Sequence, residues 1–200
     1  MNMKPLKQAL IQGLQHDRFI LGIDGLSRSG KTTLVNRLKQ WLQTEEYPAI
    51  IFHLDDYIED RKKRYNTGNE EWYEYYTLQW DAEYLKQELF SKVHTVKELT
   101  LRVYDEQKDS HFLKKTSIPQ KCLIIIEGVF LQRPEWKSHL DYIVYLDCPR
   151  ETRFKREKEA TRQKVDKFNN RYWKAEDHYL ETIRPHEGAE MVISQPMQPV

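Results

Sequence analysis

Residues 25–32, Gly25-Leu26-Ser27-Arg28-Ser29-Gly30-Lys31-Thr32, set two glycines with four residues between them and follow the second with a lysine and a hydroxyl. An apolar run, Phe19-Ile20-Leu21-Gly22-Ile23-Asp24, leads in, and Leu34, Leu38, Trp41 and Leu42 follow at helical spacing. The pattern is strand, loop, helix. The glycines let consecutive N–H groups point into one concavity and leave room for phosphate oxygens to reach the main chain. A helix that begins at Gly30 turns its free N–H groups and positive dipole end toward the same anion. Lys31 adds a charge for the outer phosphates, Thr32 a hydroxyl for Mg²⁺, and Thr33 continues the loop into the helix. The stretch fits G-x-x-x-x-G-K-[ST] without mismatch, which predicts a nucleoside triphosphate site, for ATP or GTP.

Two further apolar runs end in carboxylates. His53-Leu54-Asp55-Asp56-Tyr57 closes the run 49–54, and Glu127-Gly128 closes Leu123-Ile124-Ile125-Ile126. A carboxylate at the C-terminal end of a buried parallel strand points into the ligand crevice. Glu127 is therefore a candidate for the metal shell beside Thr32. Asp55, nearer its strand end than Asp56, is the candidate that positions a hydroxyl acceptor and takes its proton. A base-reading N-K-x-D after a strand is missing, because Gln163-Lys164-Val165-Asp166 lies in a charged helical tract. That argues against a GTPase.

These residues need a sheet to hold them, and the rest of the chain supplies one. Short apolar runs at 18–24, 49–54, 123–129, 142–148 and 191–195 alternate with helical patterns at 3–16, 30–44, 82–91, 150–160 and 170–183. Runs without polar alternation predict strands buried on both faces, as in a parallel sheet covered by helices. Residues 57–81 are long and poorly periodic, the mark of a functional insert. Residues 99–118 read as two strand-like arms around a polar turn, a hairpin off the main sheet.

Composition narrows the classes. The 200 residues are 39% hydrophobic and 32% charged, with a formal net charge of +1. Such a balance gives no general electrostatic case for nucleic acid or membrane as partner. Cys122 and Cys148 sit in apolar runs and read as free thiols of a reducing compartment. With no signal peptide visible and no apolar run long enough to span a bilayer, the expected location is cytoplasmic. A homo-oligomer stays open.

"GLSRSGKTTL", "HLDDYI", "LRVYD", "LIIIEGVF" and "YLDCPRETRFKRE", in that order and spacing, resemble the uridine kinase-like P-loop nucleoside kinases, from about residue 18 to "ETIRP" at 181–185. The resemblance implies an α/β, adenylate-kinase-like fold: five parallel strands flanked by helices, an added hairpin and a helical lid at 150–175. It implies transfer of the γ-phosphate of ATP or GTP, with Mg²⁺, to the 5′-hydroxyl of a nucleoside. Asp55 then stands at the family's base, Glu127 at its magnesium-associated carboxylate and Tyr104 at an aromatic that packs on the acceptor's base. Tyr57 belongs to the same acceptor side. His111 is the nearest candidate for a base-reading histidine, two positions later than the family's spacing, at which Asp109 stands.

The chain also departs from the family. The acceptor motif falls on Tyr73-Glu74-Tyr75-Tyr76-Thr77-Leu78-Gln79-Trp80-Asp81, where only the last Asp survives, and Asp81 reads as a helix N-cap. Tyr75 replaces the ribose-binding Asp, with Glu74 adjacent. In the lid, Arg153, Arg156 and Arg162 are the candidates to swing onto the transferring phosphoryl, among basic residues that otherwise read as a solvated helix. The aromatics of 65–80 suit either stacking on a flat ring or packing the loop. Two other readings stay open: a kinase of pantothenate, glycerate or a sugar phosphate, and an ATP-binding regulator without transfer; a sugar phosphate would call on cations such as Arg61-Lys62-Lys63-Arg64, a run that otherwise reads as a solvated loop.

Overall fold

Strand β1 (Arg18–Asp24) is buried from Ile20 onward, and strand β5 (Cys122–Gly128) is buried along its whole length. Strands so enclosed belong at the centre of a parallel sheet with helices on both faces. In the computed structural model, which describes residues 3–15 and 17–194, they occupy that place. With β2 (Ala49–His53), β6 (Tyr142–Asp147) and β7 (Met191–Ser194) they form a five-stranded sheet of order β2-β5-β1-β6-β7, every pairing parallel. The five predicted strands are present with ends within a residue or so; Gln195 and His16, at the ends of a predicted strand and helix, lie outside the described residues.

Alternate residues of β5 point to opposite layers. Ile124 and Ile126 pack with Phe52, Trp80, Leu89, Phe90 and Trp136 on one face. Leu123 and Ile125 meet Leu6 and Leu10 of helix α1 (Lys4–Gly13) and Leu34, Val35, Leu38 and Leu42 of α2 (Lys31–Thr44) on the other. The register that matters for the site is His53 beside Glu127 and Asp24 beside Gly128. Three strand ends thus open on one crevice. No helix among the described residues is long and apolar enough to cross a membrane.

Strands β3 (Glu98–Asp105) and β4 (Ser110–Ser117) form the expected antiparallel hairpin, with Tyr104 opposite His111. Asp81 caps the next helix as predicted, accepting from the Tyr84 N–H at 2.9 Å. Elsewhere local signals mislead. The insert 57–81 contains two short helices, Arg61–Arg64 and Glu71–Thr77, which no apolar stripe announced. They are held from outside: buried Arg171 donates to Glu74 Oε2 at 3.0 Å and to the Arg64 carbonyl at 3.0 Å, under the Tyr65 ring. The predicted lid helix 150–160 breaks after Arg150–Lys155, because Lys158 is extended, and resumes at Glu159–Arg162. The helix predicted over 170–183 begins as a π turn at Phe168–Tyr172 and continues as Trp173–Ile183.

Candidate active site

The loop after β1 is anchored by a residue that sequence reasoning passed over. Asp24, fully buried, accepts the Gly25 and Leu131 N–H groups through Oδ1 (2.8 and 3.2 Å) and the Gln132 amide and Tyr179 hydroxyl through Oδ2 (3.0 and 2.6 Å). Gly25 then turns at φ +150°, where a Cβ would lie 2.6 Å from Ser29 Oγ and 2.9 Å from the Leu146 carbonyl. Leu26 and Ser29 are buried behind the loop, whereas Ser27, Arg28 and Gly30 reach its open side.

Lys31 donates to the carbonyls of Gly25 (2.9 Å) and Leu26 (3.2 Å). Burial pulls its pKa down, and the carboxylates of Glu127, Asp55 and Asp24 pull it back up. Thr32 Oγ1 donates to Glu127 Oε1 at 3.3 Å, and His53 Nδ1 lies 2.7 Å from the same oxygen. That bond is the main reason the His53 pKa is raised. A hydroxyl and a carboxylate held side by side at the foot of the glycine-rich loop are hard oxygen donors that suit Mg²⁺. His53 was missed because its nearness to Glu127 follows from β2 pairing with β5, not from spacing.

Two cavities open from this centre. The larger, about 800 Å³, is walled by the loop residues through Thr33 together with Arg37, Glu127 and Arg156. The smaller, about 540 Å³, has aromatic walls at Tyr104, Phe168, Tyr172 and Trp173. Both are bounded by Ser27, Arg28, Asp55 and Tyr75. Asp55 therefore stands at their junction, open to the cleft. Loss of water on its protein side raises its pKa; Lys31 lowers it and Glu127 raises it again.

The lid arginines take three different places. Arg153 is a buried strut, not a free arm: it pairs with both oxygens of Glu176 (2.7 and 2.9 Å) and donates to the carbonyls of Cys148 and Ser27. Its reach to Ser27 braces the glycine-rich loop from behind. Arg156 donates to the Arg28 carbonyl at 2.9 Å on the wall of the larger cavity. Arg162, on the Glu159–Arg162 helix, lines neither cavity.

On the acceptor side, Tyr104 lines the smaller cavity, donating to Asp109 (2.8 Å) and accepting from Arg64 (3.1 Å). Asp109 thus serves the hairpin turn. His111 lies beneath, with Nε2 2.9 Å from the Ile58 carbonyl, and Tyr57 packs against Phe52; neither lines a cavity. Burial raises the Tyr57 pKa. Glu74 turns away to Thr67 and Arg171.

The profile of the Phosphoribulokinase / Uridine kinase family matches residues 20–195. Among solved structures, a possible uridine kinase from Bacillus stearothermophilus is 46% identical, with 96% of each chain covered and a TM-score of 0.85. A proposed fructose transport system kinase from Silicibacter sp. TM1040 is 21% identical, covers 98% of this chain and 100% of its own, and has a TM-score of 0.66. D-glycerate 3-kinase from Cryptococcus neoformans var. grubii is 13% identical over 93% of this chain and 85% of its own, with a TM-score of 0.54. The last two likenesses are of fold alone. No curated protein matches the chain. With its glycine-rich loop, parallel sheet and aligned carboxylates, this kinase belongs to the phosphoribulokinase/uridine kinase family.

Proposed function

We propose that this kinase transfers the γ-phosphate of ATP or GTP to a hydroxyl of a small molecule, the 5′-hydroxyl of a nucleoside such as uridine. The observation that carries the reading is the position of Asp55 at the junction of the two cavities. One cavity has the anion-binding loop for the donor's phosphates, and the other has aromatic walls for an acceptor ring. The acceptor hydroxyl sits at their meeting point, where Asp55 orients it and receives its proton as the phosphoryl arrives. A raised Asp55 pKa makes it a better base at neutral pH. Thr32 and Glu127 would hold Mg²⁺, which supplies charge neutralisation for the phosphates. Lys31 and the amides at the start of α2 hold the donor, and Arg156 flanks it.

The test is ADP release from Mg-ATP across nucleosides, pantothenate, glycerate and sugar phosphates, with an acceptor-free control. Stimulation by uridine or cytidine is expected. Tight ATP binding with no stimulation by any alcohol would overturn the reading in favour of a regulator. A smaller effect checks the acceptor wall. Tyr104→Phe removes the bonds to Asp109 and Arg64 and keeps the ring. It should cost about 1 kcal/mol in urea unfolding with KM for the acceptor within about twofold. Tyr104→Ala should raise that KM about tenfold, the worth of one stacking contact.

A further inference from the structure

The pairing of β2 with β5 sets three cross-strand rungs on one face of the sheet: Ala49 beside Leu123, Ile51 beside Ile125 and His53 beside Glu127. Side chains alternate along a strand, so all six share the face that α2 covers. The first two rungs are apolar and pack into the core beneath α2. The third, at the strand ends, sets a histidine on a carboxylate. The His53 side chain is 36% exposed, so burial alone gives no reason for an imidazole at the last position of an edge strand.

The geometry divides the Glu127 carboxylate into two ends. Oε1 accepts from Thr32 Oγ1 at 3.3 Å and lies 2.7 Å from His53 Nδ1. Oε2 accepts from no group among the described residues, and Glu127 lines the larger cavity. Thr32 gives its hydrogen to Oε1 and so keeps its lone pairs for that cavity, which it also lines. His53 lines neither cavity, so it acts on Glu127 from outside the cleft. The bond needs only a hydrogen on Nδ1, which a neutral ring can carry. One competing attraction acts on Glu127, that of the Lys31 ammonium. Lys31 sits instead on the Gly25 and Leu26 carbonyls, and no ion pair joins it to Glu127 among the described residues.

We infer that His53 is a positioning residue for divalent-cation binding: it holds Oε1 of Glu127 and thereby reserves Oε2 for a cation in the larger cavity. The inference rests on the reading of Thr32 and Glu127 as Mg²⁺ donors and adds to it a residue that never meets the metal. A glutamate already fixed by the fold loses little further rotamer freedom when a cation arrives. Without His53 the carboxylate gains rotamers and can swing to the Lys31 ammonium, which withdraws it from the cation. Groups that hold a metal's ligands from behind commonly change its affinity by about tenfold or more.

The test measures binding, not turnover. Calorimetric titration of the full chain with AMP-PNP and GMP-PNP, non-hydrolysable analogues of the two donors, is run in EDTA and again in saturating Mg²⁺. The ratio of the two Kd values is the gain that the metal brings. His53→Leu keeps bulk and removes the donor; it should cut this gain about tenfold and leave the Kd in EDTA unmoved. His53→Asn sets an amide N–H where Nδ1 stands and should restore most of the gain. A merely structural role would shift the Kd in EDTA and would not be rescued by Asn, so either result overturns the inference. If His53→Leu does not fold, His53→Ala takes its place, because a partly exposed ring can be truncated there. Glu127→Gln separates the two claims. If it removes the gain while the His53 variants keep it, the inference falls and the metal reading stands. If Glu127→Gln leaves the gain intact, the metal reading falls and takes the inference with it.

Discussion

Asp55→Asn should abolish most acceptor-dependent ADP release, by about 10²–10⁴-fold in kcat, and leave the affinity for Mg-ATP within about threefold. Asparagine keeps the shape and one oxygen acceptor, so a hydroxyl can still be oriented. It cannot take the proton. The contrast is with Lys31→Ala, which removes the ammonium held on the Gly25 and Leu26 carbonyls beside the larger cavity and should weaken ATP binding itself. The pH profile gives a second readout. Asp55 must be ionised to act, and its pKa lies above the ordinary carboxylate value. Turnover in the native enzyme should therefore fall as pH drops through that raised value, and the residual rate of Asp55→Asn should not share this acidic limb. A variant that turns over within threefold of the native rate would show that Asp55 is not the base that takes the acceptor's proton.

How much of this site could be read from the chain depends on the distance between its parts. The strand, loop and helix around Gly25–Thr32 were legible because their signal is contiguous: eight residues, a strand before and a helix after. The carboxylates Asp55 and Glu127 were legible as strand ends, since an apolar run that stops at an acid says where the acid must point. Their partners were not. His53 touches Glu127 across 74 residues, and Tyr179 touches Asp24 across 155, through pairings that spacing does not encode. The lid misled for a related reason. Its charges fit one continuous amphipathic helix, but the structure divides it at Lys158. Arg153 was read as a mobile arm on the strength of its position near the lid. Glu176, 23 residues away, captures both of its terminal nitrogens instead. In the insert, the helix Glu71–Thr77 owes its place to Arg171 from a distant segment, so periodicity within 57–81 carried no trace of it.

The second large effect concerns stability. Asp24→Ala should destabilise the fold by about 3–5 kcal/mol in urea unfolding, near the upper end for a point substitution. The carboxylate is buried with four donors on it, and among the described residues no lysine or arginine donates to it. Burial dominates and raises its pKa. The charge itself is therefore costly, and its value lies in the hydrogen bonds it collects. Alanine strands the Gly25 and Leu131 N–H groups and the Tyr179 hydroxyl, each at about 1–3 kcal/mol, while the Gln132 amide keeps the Pro185 carbonyl. Asn should fall between Asp and Ala. It retains one oxygen for the two backbone donors but turns an NH₂ group toward Gln132 and Tyr179, which are donors already. The damage should also reach the larger cavity, because Asp24 joins the first residue of the glycine-rich loop to the helix Trp173–Ile183. A loop released from that tie samples conformations that cannot cradle phosphate, and ATP affinity should weaken about tenfold, equivalent to about 1.4 kcal/mol. If Asp24→Ala unfolds within 1 kcal/mol of the native protein, the four bonds do not act as a unit, and the anchoring of the loop must come from its other ties, those of Arg153, Arg156 and Lys31.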